Sequence, residues 1–261
     1  MRYSIAQKII EENEFQFMAD KIASANNLES LFKIWNAAHK AEKEYKECQK
    51  ATLPKGIFTD AEKFKTSFCW DELTSLKGNV LQSKTNQQAD VLFVLKESNS
   101  GGTPTLFEDK KFWFNDTAAE PQTKSQEERR SYSIRCTYAR KFAQTLKCLN
   151  KPENQPFAYM NLNKRGGFGG TNYCRLKNYT AKYKKFILKQ IQLHNPKVIL
   201  FCGCYNDIAQ ILFNTDKNKN SIKQWNNKPV DIIFNQKQIR LLGTYHPAYN
   251  KFDGTLCNIL K

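Results

Sequence analysis

The stretch DVLFVLKES, residues 90–98, decides the fold. Its five consecutive apolar residues, Val91 to Leu95, lack the alternation of a strand with one wet face, so the run predicts a short strand buried on both sides. Polar and glycine residues follow at once, up to Gly102, and predict a loop. Three more strand-like stretches lie downstream: Pro156 to Leu162, Lys197 to Cys202 and Gln238 to Leu242. Between them the periodicity turns helical. Ile134, Tyr138, Phe142 and Leu146 share one face of a helix expected over 131–149. Leu176, Tyr179, Tyr183, Phe186 and Gln190 mark a second helix that stops before Asn195-Pro196. Residues 205–213 form a third, and 231–234 with 238–242 read as a hairpin. Alternating strands and helices predict an α/β fold: three layers, α/β/α, around a mostly parallel four-stranded central sheet, spanning residues 89–261.

The first 88 residues read differently. Leu28, Leu31, Phe32, Trp35 and Ala38 recur at helical spacing, and residues 41–50 alternate Glu with Lys like a solvated helix face. A break at Pro54-Lys55-Gly56 separates a second stretch carrying Phe64, Phe68, Trp70 and Leu73. Residues 1–88 are therefore expected to be an N-terminal helical extension flanking the core.

A chain of 261 residues is long enough to bury a substantial core without disulfides or metal. No apolar run approaches the roughly 18–20 residues of a membrane span, and Glu11, Glu12 and Glu14 interrupt what would be a signal peptide. A soluble, cytoplasmic (intracellular) monomer is expected, with no membrane contact. Eight cysteines without a secretory signal predict reduced, buried thiols. Cys202 and Cys204 give only C-x-C, and His39, His194 and His246 are widely separated, so no metal site and no cofactor are expected.

The distribution of charge points to a partner. Residues 1–90 hold 13 basic and 13 acidic residues, so the formal charge of +16 resides wholly in 91–261. From Arg129 to Lys197 there are 16 basic residues against the single acid Glu153, interleaved with ten aromatics. Basic side chains neutralise phosphates and exposed rings stack on bases, which suits DNA, single- or double-stranded. The same composition would arise if the aromatics were core and the lysines merely solubilised the surface.

Open parallel sheets bind ligands beyond the carboxyl ends of their strands. Three polar signals fall there: Lys96-Glu97-Ser98-Asn99, Asn161-Leu162-Asn163-Lys164-Arg165, and Thr244-Tyr245-His246-Pro247-Ala248-Tyr249. If these strands are neighbours, the loops share one crevice. Basic surroundings would keep Glu97 ionised. Asn161 carries both a donor and an acceptor, as reading a base edge requires. Pro247 holds the backbone before it extended and could aim the His246 imidazole into the cleft. Lys164, Arg165 and Tyr249 are the candidate nucleic-acid contacts. Each signal has an ordinary reading as cap or turn; the conjunction in order carries the weight.

DVLFVLKES, FAYMNLNKR, PKVILFCG and IRLLGTYHPAY together resemble the uracil-DNA glycosylase superfamily over roughly residues 89–255. TYHPAY is the most specific part, close to that superfamily's final His-Pro-Ser with Ala248 in place of serine. The resemblance implies that His246 stabilises the departing base, Asn161 reads its edge, and Glu97 orients water or balances the sugar's positive charge. Lys96 stands where a glycine is usual and Asn99 where a proline is; moving the alignment by one position brings Ser98 or Asn99 into the catalytic slot. Phe107 falls near the position of the aromatic that stacks on the flipped base. The resemblance implies a DNA glycosylase. A catalytically inactive member holding single-stranded nucleic acid in the same cleft is the alternative. A metal nuclease is disfavoured, because residues 129–197 offer one carboxylate where such sites need several.

Overall fold

The computed structural model describes residues 18–42, 68, 73–77, 80–83, 88–97, 126–152, 155, 157–165, 171–213 and 229–247. Its centre is the predicted strand, β3 (Val91–Glu97), with Val91 to Leu95 all buried. On one side β3 pairs in parallel with β4 (Phe157–Asn163), and on the other with β5 (Val198–Cys202). Beyond β5 lies β7 (Lys237–Thr244), again parallel. These four strands, in the spatial order β4-β3-β5-β7, are the expected parallel core.

The sheet is wider than expected. β6 (Val230–Phe234) pairs antiparallel with β7 through a two-residue turn, Asn235-Gln236, both with φ positive (49° and 64°). Two positive-φ residues give the tight hairpin turn whose twist matches its strands. At the opposite edge β1 (Leu73–Lys77) and β2 (Val80–Ser83) form a hairpin that joins β4 antiparallel, completing seven strands in the order β2-β1-β4-β3-β5-β7-β6. The helical reading of the first 88 residues fails at 73–83. The short, partly polar segments Leu73-Thr-Ser-Leu-Lys77 and Val80-Leu-Gln-Ser83 carry little period of their own, and the open edge of β4 supplies their hydrogen bonds.

Strand alternation divides the core in two. Val91, Phe93 and Leu95 of β3, with Phe157 and Tyr159 of β4, face α3 (Gln126–Cys148), where Phe93 and Phe142 stack at 4.2 Å. Leu92 and Val94, with Ala158, Met160 and Leu162, face the other layer. That layer contains α1 (Ala19–Ser24), α2 (Leu28–Ala41), α4 (Tyr173–Lys182), α5 (Lys184–His194) and α6 (Tyr205–Phe213). Asn27 caps α2, accepting from the Ser30 N–H at 2.7 Å. Asn195, in the left-handed region at φ 51°, ends α5 just before Pro196.

The N-terminal helices are built into this layer. Trp35 is fully buried and its ring stacks on Tyr179, Tyr183 and Phe186, the last at 5.3 Å. The apolar stripe of α2 thus meets the aromatic stripe of α4 and α5, and neither could be buried alone.

One cysteine expectation is corrected. Cys148 at the end of α3 is disulfide-bonded to a partner outside the described side chains, whereas Cys174, Cys202 and Cys204 are free thiols. Spacing along the chain does not reveal which distant cysteines meet. Among the described residues no group of three or more His, Cys, Asp or Glu could hold a metal ion, and no helix is long and apolar enough to cross a membrane.

Candidate functional site: a crevice at the carboxyl end of the sheet

The chain leaves β3 towards β4 on one side, then returns past β3 to build β5 and β7 on the other. Connections therefore diverge between β3 and β5, the switch point at which open sheets of this kind form their ligand crevice. Register places the candidate residues around it. Leu95 is level with Asn161, Glu97 with Asn163, and Cys202 with Thr244. Glu97, at the end of β3, pairs with Arg175 of α4 in the opposite layer, whereas by alternation Asn161 and Asn163 belong to the α3 face. His246 belongs there too, because its ring meets Tyr138 of α3 edge-on at 5.7 Å.

Gly203, the first residue after β5, is the hinge of this arrangement. Its N–H donates to the Thr244 carbonyl at 2.7 Å, and its own carbonyl accepts from the Tyr173 hydroxyl at 2.6 Å. It adopts φ +75°, and a Cβ there would sit 3.2 Å from His246 Cβ and 3.2 Å from Lys96 Cε. A side chain there is strained by the conformation and crowded by the approach of the two neighbouring loops.

Glu97 is held firmly. Its side chain is 6% exposed, and Oε2 accepts from Arg175 Nη2 at 3.0 Å and, at a long 3.4 Å, from Asn163 Nδ2. Both contacts fall on one oxygen. Burial raises the carboxyl's pKa above the ordinary range, and the opposing charges of Arg175 and Lys96, with the Arg175 and Asn163 hydrogen bonds, offset only part of it. The basic surroundings expected to keep Glu97 ionised are present in Arg175 and Lys96, but desolvation outweighs them and the net shift is upward.

His246 is shifted the other way. Burial, then the positive charges of Lys96 and Lys141, lower its pKa from 6.5 to about 4. The imidazole is neutral at physiological pH and carries one N–H and one lone pair. Tyr138, whose own pKa burial and the nearby Cys202 push beyond the ordinary phenol range, stays protonated beside it.

The asparagines are fixed through a second, buried polar cluster. Lys164 Nζ donates to the Asn161 carbonyl at 2.7 Å and lies over the rings of Trp35 (5.1 Å) and Phe32 (5.4 Å). The Arg165 N–H donates to Asn163 Oδ1 at 2.9 Å. The Arg165 guanidinium packs on Tyr179 and Tyr183, pairs with Glu42 at the end of α2, and donates to the Tyr183 hydroxyl at 3.0 Å. Glu42 also accepts from Tyr183 at 2.8 Å and from Lys182. Lys164 and Arg165 are both 0% exposed, so their assignment as nucleic-acid contacts is corrected. Both cations point into the aromatic cluster under α2, where cation–π contact and the Glu42 carboxylate replace water.

The aromatics of the basic segment divide similarly. Phe142, Phe157, Tyr159, Tyr179, Tyr183 and Phe186 are core, and Tyr173 is exposed. Asn99, Phe107 and Tyr249 lie outside the described residues. The structure places Glu97, Asn161 and His246 at one end of the sheet, and adds Asn163, Arg175, Lys96, Tyr138 and Gly203. Of these additions Lys96 and Asn163 already stood in the polar signals after the first two strands, and Asn163, two residues after Asn161 in a strand, shares its face. No known family model matches the chain, and no curated protein matches it in sequence.

Proposed function

We propose that the protein is a DNA glycosylase-like enzyme that hydrolyses the N-glycosidic bond of uracil or another altered base. The observation that supports this reading is that a buried carboxylate, an amide pair and a neutral imidazole all stand at the carboxyl ends of β3, β4 and β7. Breaking the bond between sugar and base leaves the electron pair on the base and positive charge on the sugar. The neutral His246 ring donates its N–H to the oxygen on which the base's charge develops; one such donor is commonly worth about 2.7–4 kcal/mol. Asn161 offers donor and acceptor to the base edge. Glu97 faces the sugar cation, and Oε1, which accepts no hydrogen bond from the described residues, takes the proton as water adds to the anomeric carbon. The base must first leave the stack, at about a few kcal/mol, which phosphate contacts on a chain of net charge +16 help to offset.

A second reading is a catalytically inactive binder of single-stranded nucleic acid. The Glu97–Arg175 ion pair favours it, because a neutralised carboxylate stabilises a sugar cation less. One experiment separates the two. The protein is incubated with uracil-containing single- and double-stranded oligonucleotides, in EDTA and in parallel with Mg2+, and each sample is examined with and without alkali. Strand breaks that His246→Ala reduces by 100-fold or more support hydrolysis. Tight binding without breaks supports the binder, and cutting that needs metal but no alkali overturns both.

A further inference from the structure

We propose that Tyr173 and Tyr245 form a stacking platform at the mouth of the crevice for unpaired bases, so that the ligand is single-stranded nucleic acid. This deepens the functional reading and rests on its premise that the crevice receives a nucleic acid. Among the described residues three large hydrophobic side chains are exposed: Tyr173 (49%), Tyr245 (43%) and Ile233 (74%). Single exposed rings are ordinary on a protein surface. Here two of the three are joined to one backbone unit, Tyr173 through its hydroxyl and Tyr245 through the chain. The Tyr173 hydroxyl is bonded to the Gly203 carbonyl, and the Gly203 N–H is bonded to the carbonyl of Thr244, the residue directly before Tyr245. That unit borders His246, whose Cβ would lie 3.2 Å from a Cβ on Gly203.

The Tyr173 ring is held in place although half of it is wet. Its hydroxyl is anchored at 2.6 Å, and the Lys96 ammonium lies 5.2 Å from the ring centroid. A tethered, solvent-exposed ring with a cation beside it suits a base whose phosphate needs a positive neighbour, and it offers little to a neutral apolar partner. Charge complementarity extends along the chain, where residues 129–197 carry 16 basic residues against one acid. In a duplex the base faces are covered by their neighbours, so only an unpaired strand presents them to such rings.

The test is fluorescence anisotropy with labelled oligo(dT) and with a duplex of the same length. The platform predicts tighter binding of oligo(dT), weakened about fivefold or more by Tyr173→Ala and by Tyr245→Ala, with duplex binding unchanged. Tyr245→Trp, which keeps a ring, should retain affinity, as should Ile233→Ala on the far hairpin, whereas Tyr173→Phe, which keeps the ring but loses its tether, should fall between the parent and Tyr173→Ala. Thermal melts identify any variant that fails to fold, and the ring-retaining variants then decide: a strand of abasic residues should bind them and the parent with equal, lower affinity. Unchanged oligo(dT) binding in both folded alanine variants, or equal losses on duplex and single strand, overturns the proposal. Failure of the hydrolase reading is distinct, since it shows as intact uracil strands after alkali whatever oligo(dT) does.

Discussion

Glu42→Ala should be the most damaging single truncation outside the apolar core. Glu42 joins three donors: Oε2 accepts from Arg165 and Tyr183, and Oε1 accepts from Lys182. Lys182 is 13% exposed at its side chain and can turn to water, whereas Arg165 is fully buried and cannot. The loss is therefore dominated by one guanidinium left without its counter-charge. Breaking a buried pair in this way costs about 3–5 kcal/mol, a large share of the roughly 5–15 kcal/mol that stabilises an ordinary domain. Urea unfolding followed by tryptophan fluorescence measures it, since Trp35 packs within the same cluster. The double variant Glu42→Leu, Arg165→Met should regain more than half of the loss, because removing both charges also removes the desolvation penalty. The pH dependence has a definite sign. Burial alone would raise the Glu42 pKa, but Arg165, Lys182 and Tyr183 outweigh it and hold the carboxyl below 4.5. Its stabilisation is present above that value and is lost as pH falls through the lower, folded-state pKa. A loss under about 1 kcal/mol in Glu42→Ala, or a double variant no better than the single, would refute this account of Arg165 as a structural cation.

Three further outcomes follow from the crevice. The His246 ring should titrate at about 4 by NMR, and Lys96→Met should raise that value while leaving it below 6.5, because burial is the larger cause; a ring titrating at 6.5 in the parent would contradict the burial. Arg175→Met removes the largest influence opposing burial at Glu97, so the carboxyl pKa should rise further, and the acidic limb of base release should move to higher pH with it. A pH–rate profile unaltered by that change would show that Glu97 is not the group being read. Gly203→Ala places a side chain at φ +75° against His246 and Lys96, at a cost of about 1–2 kcal/mol from the backbone alone. The observable is a lower urea midpoint together with a displaced His246 resonance, and an unchanged spectrum would mean that the loops do not pack on Gly203.

Much of the fold was legible because buried strands and amphipathic helices leave local signatures. Val91 to Leu95 is apolar at every position because both faces are covered, and α3 shows Tyr138, Phe142 and Leu146 at helical spacing because one face is. Asn195-Pro196 marked a helix end for a steric reason that operates within three residues. The crevice was legible in outline by the same logic: polar residues that follow apolar strands must gather at the strand ends. What escaped was every feature whose cause lies far along the chain. The basic run at Lys164-Arg165 reads as a phosphate contact until Glu42 and Trp35, more than 120 residues earlier, are placed beneath it. The hairpin at 73–83 has little pattern of its own and exists because β4 offers an edge.

The amino-acid sequence alone determined the layered α/β architecture, the core strands and which polar loops follow them, since these depend on hydrophobic period, turn chemistry and chain order. Only the tertiary structure decided the electrostatics: which cations are sealed inside and which stand at the crevice, that desolvation outweighs Arg175 at Glu97, and that His246 is neutral. Charge on a residue is a property of its type, but its effect depends on how much water is removed and on which opposite charge is brought near, and both are fixed only when distant segments pack.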